Sequence, residues 1–269
     1  MTRFVSLLRL VLICALLPTL WACGAARTDH VMPEPVPSLT ETGFKAPVKR
    51  YGTEGDDSLD FLKVYDPWEP LNRNIYVFNA LFDNYLMLPA TRTYEFILPQ
   101  PVRTGVKNVI SNANEVPTLI NCLLQGKLTK SAITTSRLLI NTTFGLLGVF
   151  DPASGAENLQ RQDEDVGQTL GVWGMGAGPY FVMPFMGPSN VRDTLGFGGD
   201  TLLVYLQMMY VYDKLGVSDF RSVAYTELVV RLLNKRSNIK FTYYETGSPF
   251  EYELVRFIYT KKRELDIER

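Results

Sequence analysis

One histidine, His30, and three cysteines, Cys14, Cys23 and Cys122, make up the strongest nucleophiles and bases of this 269-residue chain. A Ser-His-Asp or Cys-His centre needs an imidazole beside the nucleophile. His30 lies in a proline-rich leader, far along the chain from Cys122, so such hydrolysis is excluded and Cys122 reads as a buried helix cysteine. Zinc needs Cys, His and carboxylates at ligand spacing, and none occur. "RQDEDVG" (residues 161–167) concentrates carboxylates. It lacks the Asp-x-Asp-x-Asp-Gly order and distal Glu of an EF-hand loop, and so reads as a solvated loop, with calcium left open. "GMGAG" (174–178) echoes a dinucleotide loop, but Pro179 and aromatic residues follow where a phosphate-binding helix is required. "GFGGD" (196–200) reads as a hinge or N-cap region. No carboxylate pair stands out for glycosidase-type chemistry. The chain is therefore expected not to be an enzyme, and to carry no metal or diffusible cofactor.

The one cysteine with a clear chemical role is Cys23. Residues 1–22 carry Arg3 and Arg9, an apolar run too short to span a bilayer, and a break at Pro18, which is the form of a secretory signal peptide. "LWAC" (20–23) resembles a bacterial lipobox, with Trp21 where a small or β-branched residue is usual. The expectation is a covalent lipid on Cys23. An ordinary signal peptide cut near Ala22 or Ala26 is the alternative. Gly24 after the cysteine resembles sorting signals for the outer membrane. With Cys14 removed and Cys23 acylated, Cys122 has no disulfide partner. Residues 23–60 hold "VMPEPVPS" and no apolar period, and read as a flexible tether. Net charge is −1, with no basic footprint for nucleic acid.

The elements of residues 61–269 are mainly helical. Leu71, Ile75, Phe78 and Phe82 recur at helical spacing after Pro67 and Pro70, either of which can start the helix, and Pro89 is expected to end it or its sequel. Pro101 restarts a helix. "NEVPTLINCLLQGK" reads as a separate short one, with Gly126 after its end. "LTKSAITTSRLLI" is helical, followed by an apolar stretch to Asp151. An apolar helix follows Asp193. An amphipathic one covers "SDFRSVAYTELVVRLLNKR", and a last one opens with Ser248, Pro249 and Glu251 in capping-box order. Between them, "GVWGMGAGPYFVMPFMGP" (171–188) is as apolar as a membrane segment, yet its glycines and prolines forbid a spanning helix. Unpaired backbone groups cannot face hydrocarbon. The stretch is therefore either a core hairpin or the lining of a cavity that water or headgroups enter. The flanking apolar segments fit helices buried partway into one leaflet.

"DPWEPLNRNIYVFNALFDNY", "RLLINTTFGLLGVFDPAS" and "DVGQTLGVWGMGAGPYFVMPFMGPSNVRDTLG" closely resemble the MlaA (VacJ) outer-membrane lipoproteins over roughly residues 66–200, and more loosely beyond residue 212. The resemblance implies a single helical, ring-like domain lodged in the periplasmic leaflet of the outer membrane beside a trimeric porin. It implies an amphipathic channel that returns misplaced phospholipid to an MlaC-like periplasmic carrier, with no covalent chemistry. A structural scaffold that conducts no lipid is the alternative. Path candidates are Gly171, Trp173, Gly174, Met175, Gly176, Gly178 and Tyr180 in the glycine-rich stretch, with Arg137, Asn141 and Thr142 as polar footing. Phe78, Asn79 and Leu81 border either the pore or the core. Arg137, Arg73 and Arg192 each pair either with a phosphate or with a carboxylate of the fold.

Overall fold

The computed structural model describes residues 64–245 and 247–269, all within one compact unit. The signal segment, Cys23 and the tether lie outside them. Prolines and glycines set most helix ends. Helix α1 (Glu69–Phe82) takes Pro70 into its first turn, where a missing N–H costs no hydrogen bond. Pro89 does not end the helix as expected. A π-helical turn, Asp83–Met87, leads straight into α2 (Leu88–Ile97), and Leu88 N–H reaches back to Asp83 O. The wider turn gives the proline ring room.

The two helices expected around Pro117 are one, α3 (Gln100–Leu124). Pro117 has no N–H for the carbonyl four residues back, Ala113 O. Gln207 supplies that donor from a remote helix, its Nε2 lying 2.9 Å away. Gly126, at φ 71°, closes α3 as expected: its N–H meets Leu123 O and Lys127 N–H meets Cys122 O, which satisfies the last carbonyls. Helix α4 (Leu128–Thr143) then packs along α3.

After two 3-10 turns, Pro152–Gly155 and Glu157–Leu159, come α5 (Val166–Val172), strands β1 (Tyr180–Met183) and β2 (Gly187–Asn190), α6 (Val191–Lys214), α7 (Phe220–Ser237) and α8 (Glu251–Glu268). The strands form an antiparallel hairpin with Tyr180 opposite Asn190 and Met183 opposite Gly187. "GFGGD" is no hinge, because it lies inside α6. A Cβ on Gly196 would stand 2.3 Å from Gly167 N, and one on Gly199 2.8 Å from Val166 Cγ1. These glycines let α6 press against the start of α5. The capping box does not form either: Phe250 is the N-cap of α8, and the Glu251 carboxylate instead accepts from Tyr76 OH and Tyr244 N–H.

The described part is thus mainly α, with one small sheet. Its burial is inverted. The apolar core is a small cluster of Tyr76, Tyr180, Val182 and Tyr252, and buried polar residues outnumber buried hydrophobic ones. Many large apolar side chains face outward, including Phe96 at 89% exposed, Phe144 at 80% and Leu147 at 74%. No helix among the described residues is long and apolar enough to cross a membrane.

Candidate functional site

The glycine-rich stretch divides into two halves. Tyr180 to Pro188 form the hairpin, the core alternative. Tyr180 and Val182 are 2% and 1% exposed. α1 seals the outer edge of β1. Asn72 Oδ1 accepts from Val182 N–H at 2.9 Å, Asn79 Oδ1 accepts from Phe185 N–H at 2.7 Å, and Asn79 Nδ2 donates to Met183 O at 2.9 Å. Asn79 is therefore buried at the strand edge. Phe78 and Phe82 meet Phe185 at the hairpin tip, with ring centroids 5.2 and 4.7 Å apart, and Leu81 is half-buried beside them in sequence.

Residues 173–179 form a surface loop instead. Trp173 is largely exposed and donates from Nε1 to Leu124 O. Gly174 and Gly178 take φ of 94° and 71°, which favours glycine. A side chain at Gly174 or Gly176 would meet open space, whereas one at Gly171 would strike Ile267 and Arg192. Met175 is half-buried, its N–H bonded to Leu170 O.

The candidates on α4 point inward. Arg137, 2% exposed, donates from Nε to Glu115 at 2.9 Å, from Nη2 to Asp151 at 3.1 Å, and from Nη1 to Leu159 O at 2.7 Å. The carboxylate alternative holds for Arg137, and its guanidinium is filled by the fold. Burial raises the Glu115 pKa, and Arg137 opposes that rise. Asn141 donates to Asp151 and accepts from Ala153 N–H, while Thr142 Oγ1 accepts from Asn112. This polar footing supports a loop whose apolar side chains, Phe144, Leu146, Leu147 and Phe150, all face outward. Arg73 likewise pairs with Glu69 and Glu253.

The acidic loop before α5 is claimed by cationic side chains. Asp165 caps α5 through Gln168 N–H and receives both ends of the Arg263 fork. Glu164 is bound by Lys127 and Lys130. Among the described residues no group of three metal-ligating side chains converges. Sequence reasoning passed over Asp193, which accepts from Asn190, Tyr259 and Arg263, and Asp200. Asp200 accepts from Val166 N–H at 3.1 Å and Asn121 at 3.4 Å, and burial pushes its carboxyl up to about 6. The sequence reading placed no helix at α5 and began the apolar helix only after Asp193, so the helix starts at Asp165 and Asn190 went unseen. Cys122 is fully buried, and burial raises its thiol pKa, as suits an inert core cysteine.

Many polar side chains turned inward and large apolar side chains turned outward define a helical protein with an unusually apolar surface. The chain belongs to the MlaA lipoprotein family, whose profile matches residues 64–266 and so includes the C-terminal helices where the sequence likeness was loose. The intermembrane phospholipid transport system lipoprotein MlaA of Escherichia coli is 37% identical over 138 residues, 50% of this chain and 54% of that protein. The protein of the same name from Haemophilus influenzae is 32% identical over 152 residues, 56% of this chain and 61% of that one. An uncharacterized protein of Rickettsia typhi is 37% identical over 132 residues, 49% and 52% of the two. The chain spans about half the length of the curated relatives it matches. A solved structure reported as the structural basis for maintenance of bacterial outer membrane lipid asymmetry has a TM-score of 0.62 and 28% identity, covering 76% of this chain and 100% of that one.

Proposed function

We propose that this protein is an outer-membrane lipoprotein, anchored through Cys23 and embedded from the periplasmic side. In this reading it removes misplaced phospholipids from the outer leaflet through an amphipathic path and passes them to an MlaC-like carrier, beside a trimeric porin. It does no covalent chemistry. The observation that carries the reading is the inverted burial. Outward Phe96, Phe144, Leu147 and Trp173 are costly in water and favourable among acyl chains, while many polar side chains are turned inward. Helices too short or too polar to span can lie in one leaflet. The names of the E. coli and H. influenzae relatives, which place them in an intermembrane phospholipid transport system, support the same reading.

The test is surface-exposed phosphatidylethanolamine, labelled on intact cells with an amine reagent that does not cross the membrane. Deletion should raise labelling and the wild-type gene should restore it. Unchanged labelling with an intact envelope would favour a scaffold that conducts no lipid, a role to which the sealed hairpin is equally suited.

A further inference from the structure

Arg192 is 5% exposed at the start of α6, yet most of its guanidinium is unmatched. Nε donates to Asp193 Oδ1 at 3.0 Å. That carboxylate already accepts from Asn190 Nδ2 at 2.8 Å, Tyr259 OH at 2.7 Å and Arg263 Nε at 2.9 Å. Asp193 is therefore held without Arg192. Among the described residues, Nη1 and Nη2 of Arg192 meet no hydrogen-bond acceptor, and Arg192 differs in this from Arg137 and Arg263, whose terminal nitrogens are bonded. Neither nitrogen is among the buried polar atoms that lack a partner, so the fork reaches the surface of the fold, and a cationic fork left open there needs a reason.

Their position supplies one. Nη1 lies 3.3 Å from where a Gly171 side chain would begin, so the missing side chain leaves the fork its space. Arg192 N–H donates to Ala177 O at 3.2 Å, which ties the exposed 173–179 loop to the same residue. The positive end of α6, a 24-residue helix, adds to the field there. Asp165 and Asp193 are each paired with an arginine, so neither presents a free carboxylate to an arriving anion. The paired terminal N–H groups of a guanidinium match two phosphate oxygens.

We propose that the Nη1/Nη2 fork of Arg192, beside Gly171 and the 173–179 loop, is a binding site for the phosphate of a phospholipid headgroup. This rests on the lipid-handling reading above and names the residue that would hold the headgroup.

The test uses the full lipidated protein in detergent, titrated with dihexanoyl phosphatidylglycerol, with dihexanoylglycerol, which lacks phosphate, and with inorganic phosphate. Arg192→Gln should weaken phosphatidylglycerol binding tenfold or more and leave dihexanoylglycerol binding unchanged. Arg192→Lys keeps the charge without the fork and should fall between. It carries the test alone if Arg192→Gln loses the wild-type thermal transition. Wild-type affinity for phosphatidylglycerol in both variants would overturn the site. Inorganic phosphate binding as tightly as the lipid, and lost with it in Arg192→Gln, would reassign the fork to free phosphate and overturn the headgroup claim. A wild-type protein that binds neither lipid would instead defeat the transport reading itself.

Discussion

Asn72 and Asn79 stand two turns apart on one face of α1 and hydrogen-bond the same edge of β1. Their side-chain amides stand where a third strand would, so a helix closes the sheet edge. Asn72→Ala leaves Val182 N–H buried without an acceptor. The expected loss is about 1–3 kcal/mol, read as a lower urea midpoint at unchanged slope. An unchanged midpoint would mean that the edge is satisfied some other way.

The α5–α6 contact makes opposite forecasts for two nearby glycines. Gly196→Ala drives a methyl group into Gly167 backbone, 2.3 Å away, and should destabilise by roughly 1–3 kcal/mol or more. At Gly198 the added methyl meets nothing within 4 Å, so Gly198→Ala should stabilise by about 0.5–1 kcal/mol through helix propensity alone. Thermal denaturation of the pair decides: equal shifts would contradict the close packing.

Arg137 carries the buried charge of the α3–α4 pair. Arg137→Met strands the Glu115 carboxylate in the interior, and breaking such a pair costs about 3–5 kcal/mol. Adding Glu115→Gln should recover part of that loss, because it removes the stranded charge. If the double variant is no more stable than the single one, the cost lies in packing and not in charge.

The pH dependence has two opposed parts. Burial alone would raise Asp165 and Asp193, but the Arg263 fork outweighs it and holds both below the usual carboxylate range. Their contribution is complete above about pH 4 and is lost as pH falls through the lowered values. Burial raises Asp200 to about 6, so its ionised form is disfavoured in the fold, and stability falls as pH rises from about 4 to 6. Asp200→Asn should flatten that window and raise stability at pH 7, by up to about 3 kcal/mol for a shift of this size. Chemical denaturation at pH 4, 5, 6 and 7 reads it directly. A wild-type profile that rises across the window would refute the assignment.

Much of this architecture was legible because it is local. Helical periodicity located α1 and α4, and Gly126 marked the end of α3 by its need for positive φ. What was not legible depends on remote partners. Pro117 breaks a helix on its own, and α3 continues because Gln207 from α6 bonds Ala113 O. "GFGGD" resembles a hinge until Gly167 is set against it. The type of Arg137 is equally fit for phosphate or carboxylate, and only the placing of Glu115 and Asp151 decides. The core-hairpin reading describes only the second half of the glycine-rich stretch, where β1 is held by α1 more than a hundred residues away, and residues 173–179 form a surface loop.

Gly176 offers the cleanest probe of the lipid path. Gly174 also faces open space, but its φ of 94° strains any side chain, so a loss of function there would mix strain with obstruction. Gly176 has neither a positive φ nor a neighbour within 4 Å, and it lies in the loop tied to Arg192 through Ala177. Gly176→Leu should therefore leave protein level and stability within about 0.5 kcal/mol of wild type, as for other exposed positions. If lipid passes this loop, the bulky side chain obstructs it, and surface phosphatidylethanolamine labelling should rise toward that of the deletion strain. Wild-type labelling at normal protein level would move the path away from residues 173–179, because nothing in the fold gives the leucine another way to act.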